Sequence, residues 1–165
     1  MKRINSPGSY LFLVGYKAPS NDSINRSPFE GLGKEERSSK FKEIINMQRK
    51  KTGKLFSFCC FATGQIAGKG YKENIDLIKL GEDIGLLFQL ADDFLDVKGK
   101  SKYTGKTVNK DKKKGKSTII NLVGYNNAYD YAINLKKKIL RKLEKHGNKA
   151  NDLKNIVNFI LERKY

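Results

Sequence analysis

The run Gly85-Leu86-Leu87-Phe88-Gln89-Leu90-Ala91-Asp92-Asp93-Phe94-Leu95-Asp96 constrains this chain more than any other segment. It sets three carboxylates and an amide in a stretch that is otherwise apolar on nearly every side, the pattern of a buried helix. Carboxylates are almost never fully buried unless they are paired or hold a cation. Asp92 and Asp96 stand four apart and share one helix face, with Gln89 a turn earlier on the same side. Asp93 is rotated slightly away but reaches the same cavity. Oxygen donors in this arrangement suit a hard divalent cation.

Two plainer readings compete. One Asp near a helix end acts as a cap, and a charge pair forms a solvated face. Neither accounts for an Asp-Asp-x-x-Asp cluster that ends a long apolar helix and opens into a Lys-rich loop. The cluster is therefore the candidate site.

The rest of the chain reads as helices behind a loop-rich start. All three prolines, Pro7, Pro19 and Pro28, precede residue 30, among Ser, Asn and Gly. Residues 1–40 are expected to be loop-rich, and residues 41–165 to form the helical domain. A first helix is predicted from about Lys40 to Ile66, with Phe41, Ile44, Ile45, Leu55, Cys59, Ala62 and Ile66 as its inner stripe. Gln48 and Thr52 interrupt that stripe and Lys51 flanks it. Such a polar notch marks either a site or a Thr bonded back to its own backbone. A second helix is predicted from Tyr71 or Lys72 to Val97, and a basic loop from Lys98 to Lys116. Within that loop Lys106 and Lys116 each follow a Gly, which lets backbone approach an anion closely. Ser117 is expected to cap a short helix through Leu122. Ala128, Ala132, Leu135, Ile139 and Leu143 form a further stripe, ended by His146-Gly147, and Leu153, Ile156, Val157 and Ile160 mark the last helix. No strand pattern occurs, so the expected class is all-α.

A net charge of +17 over 165 residues raises nucleic-acid binding as a possibility. The charge is mostly Lys, with only Arg3, Arg26, Arg37, Arg49, Arg141 and Arg163 as arginines, whereas base-edge readers and phosphate forks favour Arg. No specific nucleic-acid partner is expected. Adjacent Cys59 and Cys60 suit neither a zinc site nor a disulfide framework, and read as packed core thiols of a cytoplasmic protein. The apolar run from Tyr10 to Gly15 is too short to span a bilayer, so no transmembrane segment is expected.

Several motifs in order give the chain a resemblance. Lys51-Thr52-Gly53, Phe88-Gln89 before Asp92-Asp93-Phe94-Leu95-Asp96, Thr104-Gly105-Lys106, Asp111, Gly115-Lys116-Ser117-Thr118 and Asn158-Phe159-Ile160-Leu161-Glu162-Arg163 all take part. Together, from about Phe41 to Tyr165, they resemble the C-terminal half of the trans-polyprenyl diphosphate synthases, the farnesyl and geranylgeranyl diphosphate synthase family. The resemblance implies part of an isoprenoid-synthase-type helical bundle. It also implies Mg²⁺-dependent transfer of an allylic prenyl group to isopentenyl diphosphate. Asp92 then corresponds to a direct Mg²⁺ ligand, and Asp93 and Asp96 to ligands or holders of metal-bound water. Lys51, Lys106 and Lys116 correspond to contacts with the allylic diphosphate. Thr52 and Gln89 correspond to groups near the reacting carbons, and Asp111 to an outer contact of the metal.

One departure matters. The family uses two aspartate-rich motifs on facing helices, and residues 1–50 contain neither an Asp-Asp-x-x-Asp nor an Arg-Arg pair. The expectation is a fragment or half-enzyme, inactive alone, that works with a complementary N-terminal half or as a homo-oligomer. A catalytically inactive diphosphate-binding or regulatory module is the alternative. Product chain length, set near the first motif, is not legible.

Overall fold

The computed structural model describes residues 31–103 and 118–163. Every regular element in that range is helical, in line with the all-α expectation. Helix α1 (Lys34–Gln48) runs through a π-helical turn (Arg49–Gly53) into α2 (Lys54–Ile66). Helix α3 (Tyr71–Tyr103) follows, then α4 (Ile119–Val123), α5 (Tyr125–Glu144), a 3₁₀ turn (Gly147–Ala150) and α6 (Asn151–Glu162). The others pack around α3, whose Leu86, Leu87 and Leu90 are fully buried.

The first helix starts at Lys34, ahead of the expected Lys40. Glu35 and Glu36 occupy its first turn, where carboxylates complement the helix dipole. Glu36 also accepts a 3.3 Å bond from the Gly33 N–H.

The predicted inner stripe is half right. Ile44 is buried and Phe41 and Ile45 pack against the core. Beyond the π turn the stripe fails, because Leu55, Cys59 and Ile66 are exposed. The buried positions are instead Ile44, Gln48, Gly53, Ser57 and Gly64. The step from Gln48 to Gly53 is five residues, the signature of a π turn, and it rotates everything that follows away from an uninterrupted 3.6-residue period. The expected core thiols are corrected accordingly. Cys59 is exposed and Cys60 half-buried, where burial, then the neighbouring Cys59, pushes its thiol pKa up.

Small residues face inward on α2 because its partner is glycine. A Cβ on Gly85 would stand 2.6 Å from the Gly53 Cα, and one on Gly81 would stand 2.5 Å from the Phe56 carbonyl oxygen. Backbone therefore meets backbone where α3 crosses the π turn and α2. The intervening turn is held by Asn74, whose Nδ2 donates to the carbonyls of Lys69 (2.6 Å) and Gly70 (3.1 Å).

Helix α3 begins at Tyr71 as expected but continues past Val97 to Tyr103. The expected break at Lys98-Gly99-Lys100 does not occur, since a single helical Gly costs only about 1 kcal/mol and no Pro intervenes. Ser117, the expected cap, lies outside the described residues. Thr118 caps α4, accepting a 3.3 Å bond from the Asn121 N–H. The α5 stripe appears as predicted, with Ala128, Ala132, Leu135, Ile139 and Leu143 all buried. In α6, Val157 and Ile160 are buried but Ile156 is exposed.

A charge cluster around one buried carboxylate braces three of these elements. Asp83 of α3, with a side chain only 3% exposed, meets Arg49 of the π turn at 2.7 Å and Lys142 and Lys138 of α5 at 2.9 and 3.0 Å. Burial alone would push its carboxyl pKa up. Bonds from Lys142, Arg49 and Lys138 outweigh that and hold it below the usual carboxylate range. The sequence reading did not single out Asp83.

Candidate functional site

The glycine contact sets the site's dimensions. With α3 this close to the π turn, short side chains span the gap between them. Thr52 Oγ1 donates to Gln89 Oε1 at 3.0 Å. Gln89 Nε2 lies 3.5 Å from Asp93 Oδ1, four residues further along α3. Gln48 Nε2 donates to Asp93 Oδ2 at 2.8 Å. Thr52, Gln89, Asp93 and Gln48 thus form a continuous polar ladder across an otherwise apolar helix contact.

The polar notch of the first helix resolves in favour of this ladder. Thr52 bonds across to α3, and Gln48, only 4% exposed, donates to Asp93 through its Nε2. Its Oε1 is buried with no partner among the described residues. Lys51, in the same π turn, is exposed.

The three carboxylates diverge. Asp93, not Asp92, shares the ladder with Gln89. Asp92 turns the other way and pairs with Arg163, the residue after α6. Arg163 also donates to the Phe88 carbonyl at 3.3 Å, and its guanidinium carbon sits 4.2 Å from the Phe88 ring centroid. Asp96 is exposed. Among the described residues no group of three His, Cys, Asp or Glu side chains converges as a metal cage. Mg²⁺ takes one or two carboxylates and completes its shell with phosphate oxygens and water, so it does not require such a cage. Asp92 and Asp96, four apart, offer hard oxygen donors beside the ladder.

Lys106, Lys116 and Asp111 lie outside the described residues. Arg163 and the Asp93–Gln48 pairing were not anticipated as contacts. Each joins positions far apart in the chain, so periodicity carries no signal of it. Gln48 and Asp93 each stood out singly, as polar residues in apolar surroundings, but not as a pair.

Comparison with known proteins adds an independent line. Residues 29–160 match the family model of polyprenyl synthetases. The chain is 32% identical over 156 residues to a farnesyl diphosphate synthase of Micrococcus luteus, covering 94% of this chain and 53% of that protein. It is 30% identical over 121 residues to a farnesyl diphosphate synthase of Geobacillus stearothermophilus, covering 72% of this chain and 40% of that one. Over 81 residues it is 41% identical to the chloroplastic geranylgeranyl pyrophosphate synthase 11 of Arabidopsis thaliana, covering 48% of this chain and 23% of that one. The chain spans about half the length of the first of these relatives and less of the others. No solved structure matches it.

Proposed function

The chain belongs to the polyprenyl synthetase family, and on that premise we propose that it supplies the metal-and-diphosphate half of a prenyl-transferring site. The reaction is transfer of an allylic prenyl group to isopentenyl diphosphate. The observation that carries this reading is the part-buried polar ladder of Thr52, Gln89, Asp93 and Gln48, on the same stretch of α3 as Asp92 and Asp96 and set where the sequence is otherwise apolar.

The difficulty in such a reaction is the charge that develops on a departing diphosphate. Bound Mg²⁺ supplies neutralisation of that charge. Asp92 and Asp96 would hold it, while Asp93 is tied to Gln48 and Gln89. Lys51, exposed in the same π turn as Thr52, would bind a diphosphate oxygen, and Lys106 and Lys116 would take the same role. Thr52 and Gln89 direct hydroxyl and amide oxygens beside the reacting carbons, where fixed dipoles steady a developing cation. The Gln48 bond keeps Asp93 from swinging into that space.

The full reaction needs a second carboxylate cluster across the cavity, and the sequence has a single Asp-Asp-x-x-Asp. A complementary polypeptide or a longer form of the protein provides it in this proposal, in a cytoplasmic setting. Among the described residues no helix is long and apolar enough to cross a membrane. The lone motif equally favours a second reading, a diphosphate-binding module without turnover.

Calorimetry with geranyl diphosphate tests the shared part of both. Binding is expected in Mg²⁺, and is expected to vanish in chelator and in Asp92→Ala. Equal affinity in all three conditions removes the site. Labelled isopentenyl diphosphate then separates the readings: incorporation after addition of an N-terminal half supports the enzyme, and its absence supports the module.

A further inference from the structure

Asp92, the leading carboxylate of the cluster, already holds a cation. Arg163 lies just past α6, where its own N–H donates to the Phe159 carbonyl at 2.9 Å. Its backbone then leaves the helix, with φ −59° and ψ 138°. The side chain returns to α3 and makes three attachments there. One amino group donates both to Asp92 Oδ1 and to the Phe88 carbonyl, and the guanidinium plane lies over the Phe88 ring. That ring is itself packed against Phe56, at 5.7 Å between centroids. The Arg163 Nε, by contrast, is buried with no partner. Charge and the ring therefore choose this position, and complete hydrogen bonding does not.

We infer that Arg163 is a resident counter-cation of Asp92, displaced when a divalent cation binds, so that metal loading and release of the C-terminal end of α6 are one equilibrium. The inference rests on the metal-binding reading of Asp92 given above. Asp92 and Asp96 are like charges one helical turn apart on α3 and repel one another. Arg163 relieves that repulsion at Asp92. A divalent ion at Asp92 and the guanidinium already paired there are like charges a few ångströms apart and repel one another, so each weakens the other's hold on the carboxylate. Linkage then runs both ways: whatever loosens Arg163 tightens the ion, and the ion loosens Arg163 by the same factor. A freed guanidinium at the rim of the site becomes a fork for phosphate oxygens.

The experiment uses the full chain and Mn²⁺ alone, with free Mn²⁺ read by electron paramagnetic resonance. Arg163→Gln is expected to bind Mn²⁺ about fivefold more tightly than the parent, the upper worth of a part-exposed ion pair. Asp92→Asn is expected to bind it more weakly. Amide exchange at residues 158–162 is expected to quicken as Mn²⁺ is added to the parent and to be insensitive to Mn²⁺ in Arg163→Gln. Asp92-dependent binding with Arg163→Gln at or below parental affinity overturns the counter-cation and leaves the metal site standing. No Asp92-dependent binding in either the parent or Arg163→Gln background removes the metal site and the inference with it. Should Arg163→Gln fail to fold, Phe88→Leu removes the ring beneath the guanidinium and keeps both charges. Tighter Mn²⁺ binding there supports the inference, and unchanged binding overturns it.

Discussion

Replacing Gly85 with Ala is expected to destabilise the fold, although Ala is the better helix former. In an exposed helix interior the change stabilises by about 1 kcal/mol. Here the added methyl would stand 2.6 Å from the Gly53 Cα and 3.0 Å from the Gly53 nitrogen. Both are backbone atoms, so no side-chain rotation relieves the overlap and α3 must move off the π turn. Overpacking of this kind costs typically about 1–3 kcal/mol, and more where the obstacle is rigid. Taking about 3 kcal/mol for the clash and about 1 kcal/mol for the propensity gain, the net loss is about 2 kcal/mol. Gly81→Ala meets the Phe56 carbonyl and the Ser57 Cα at 2.5–2.6 Å and should lose as much. Gly53→Ala is the internal comparison, since its nearest neighbours stand at 3.3 and 3.5 Å and it should fall within about 1 kcal/mol of the parent. Urea unfolding followed by helical circular dichroism resolves the three. With a slope near 2 kcal/mol/M, the Gly81 and Gly85 variants should lose about 1 M in midpoint. Midpoints for both at or above the parent's would refute the close backbone contact, and with it the geometry that lets Thr52 reach Gln89.

Four further outcomes are expected. Asp83→Asn should cost about 3 kcal/mol at neutral pH, because Arg49, Lys138 and Lys142 are left facing one another; denaturant unfolding measures it. The folded-state pKa of Asp83 is depressed, so its contribution is present above the unfolded value near about 4 and is lost as pH falls through the lower folded value; the parent should weaken through that acid window, and Asp83→Asn should lack this component. Thr52→Val keeps the shape and removes the bond to Gln89, and should cost about 1 kcal/mol of stability in the same unfolding assay. Leu55 and Phe58 are each 66% exposed and Ile66 is 90% exposed along α2, so sedimentation should show the isolated chain associating at micromolar concentration and Leu55→Lys with Phe58→Lys reversing it.

The sequence was most legible where large apolar residues repeat without interruption. Ala128, Ala132, Leu135, Ile139 and Leu143 keep a helical period for four turns, and all five are buried. The core of α3 was legible for the same reason. The inner face of α2 was not, because two features outside hydrophobic periodicity decide it. The π turn shifts the phase between Gln48 and Gly53, and glycines on α3 select small partners such as Ser57 and Gly64 over Leu55 and Phe58. Of the site, the participants Thr52, Gln89 and Asp93 were visible as polar residues in apolar surroundings. Their pairings were not, since helix phase alone put Gln89 with Asp92, whereas Gln48 and Thr52 draw Gln89 and Asp93 into one ladder.

The π turn and the glycine contact act as one device. A regular helix from Lys34 to Ile66 would carry Gln48 and Thr52 on one face and would bring Leu55 and Cys59 to α3 after them. Bulk at Leu55 would hold the helices apart at a side-chain distance, and the Thr52 hydroxyl would then fall short of Gln89. Inserting one residue at Arg49–Gly53 keeps Gln48 and Thr52 toward α3 and rotates Leu55 out, leaving Gly53 and Ser57 to face Gly85 and Gly81. The same turn carries Arg49 to Asp83, which fixes its rotation from the other side. Lys51 is left exposed at its rim. A local helix distortion thus separates three tasks that a regular helix would confuse: bracing by Arg49, presenting Lys51 outward, and bringing Thr52 within 3.0 Å of Gln89. Deleting one residue of the π turn, Lys50 for instance, should therefore disrupt all three at once, and no single side-chain substitution within it should.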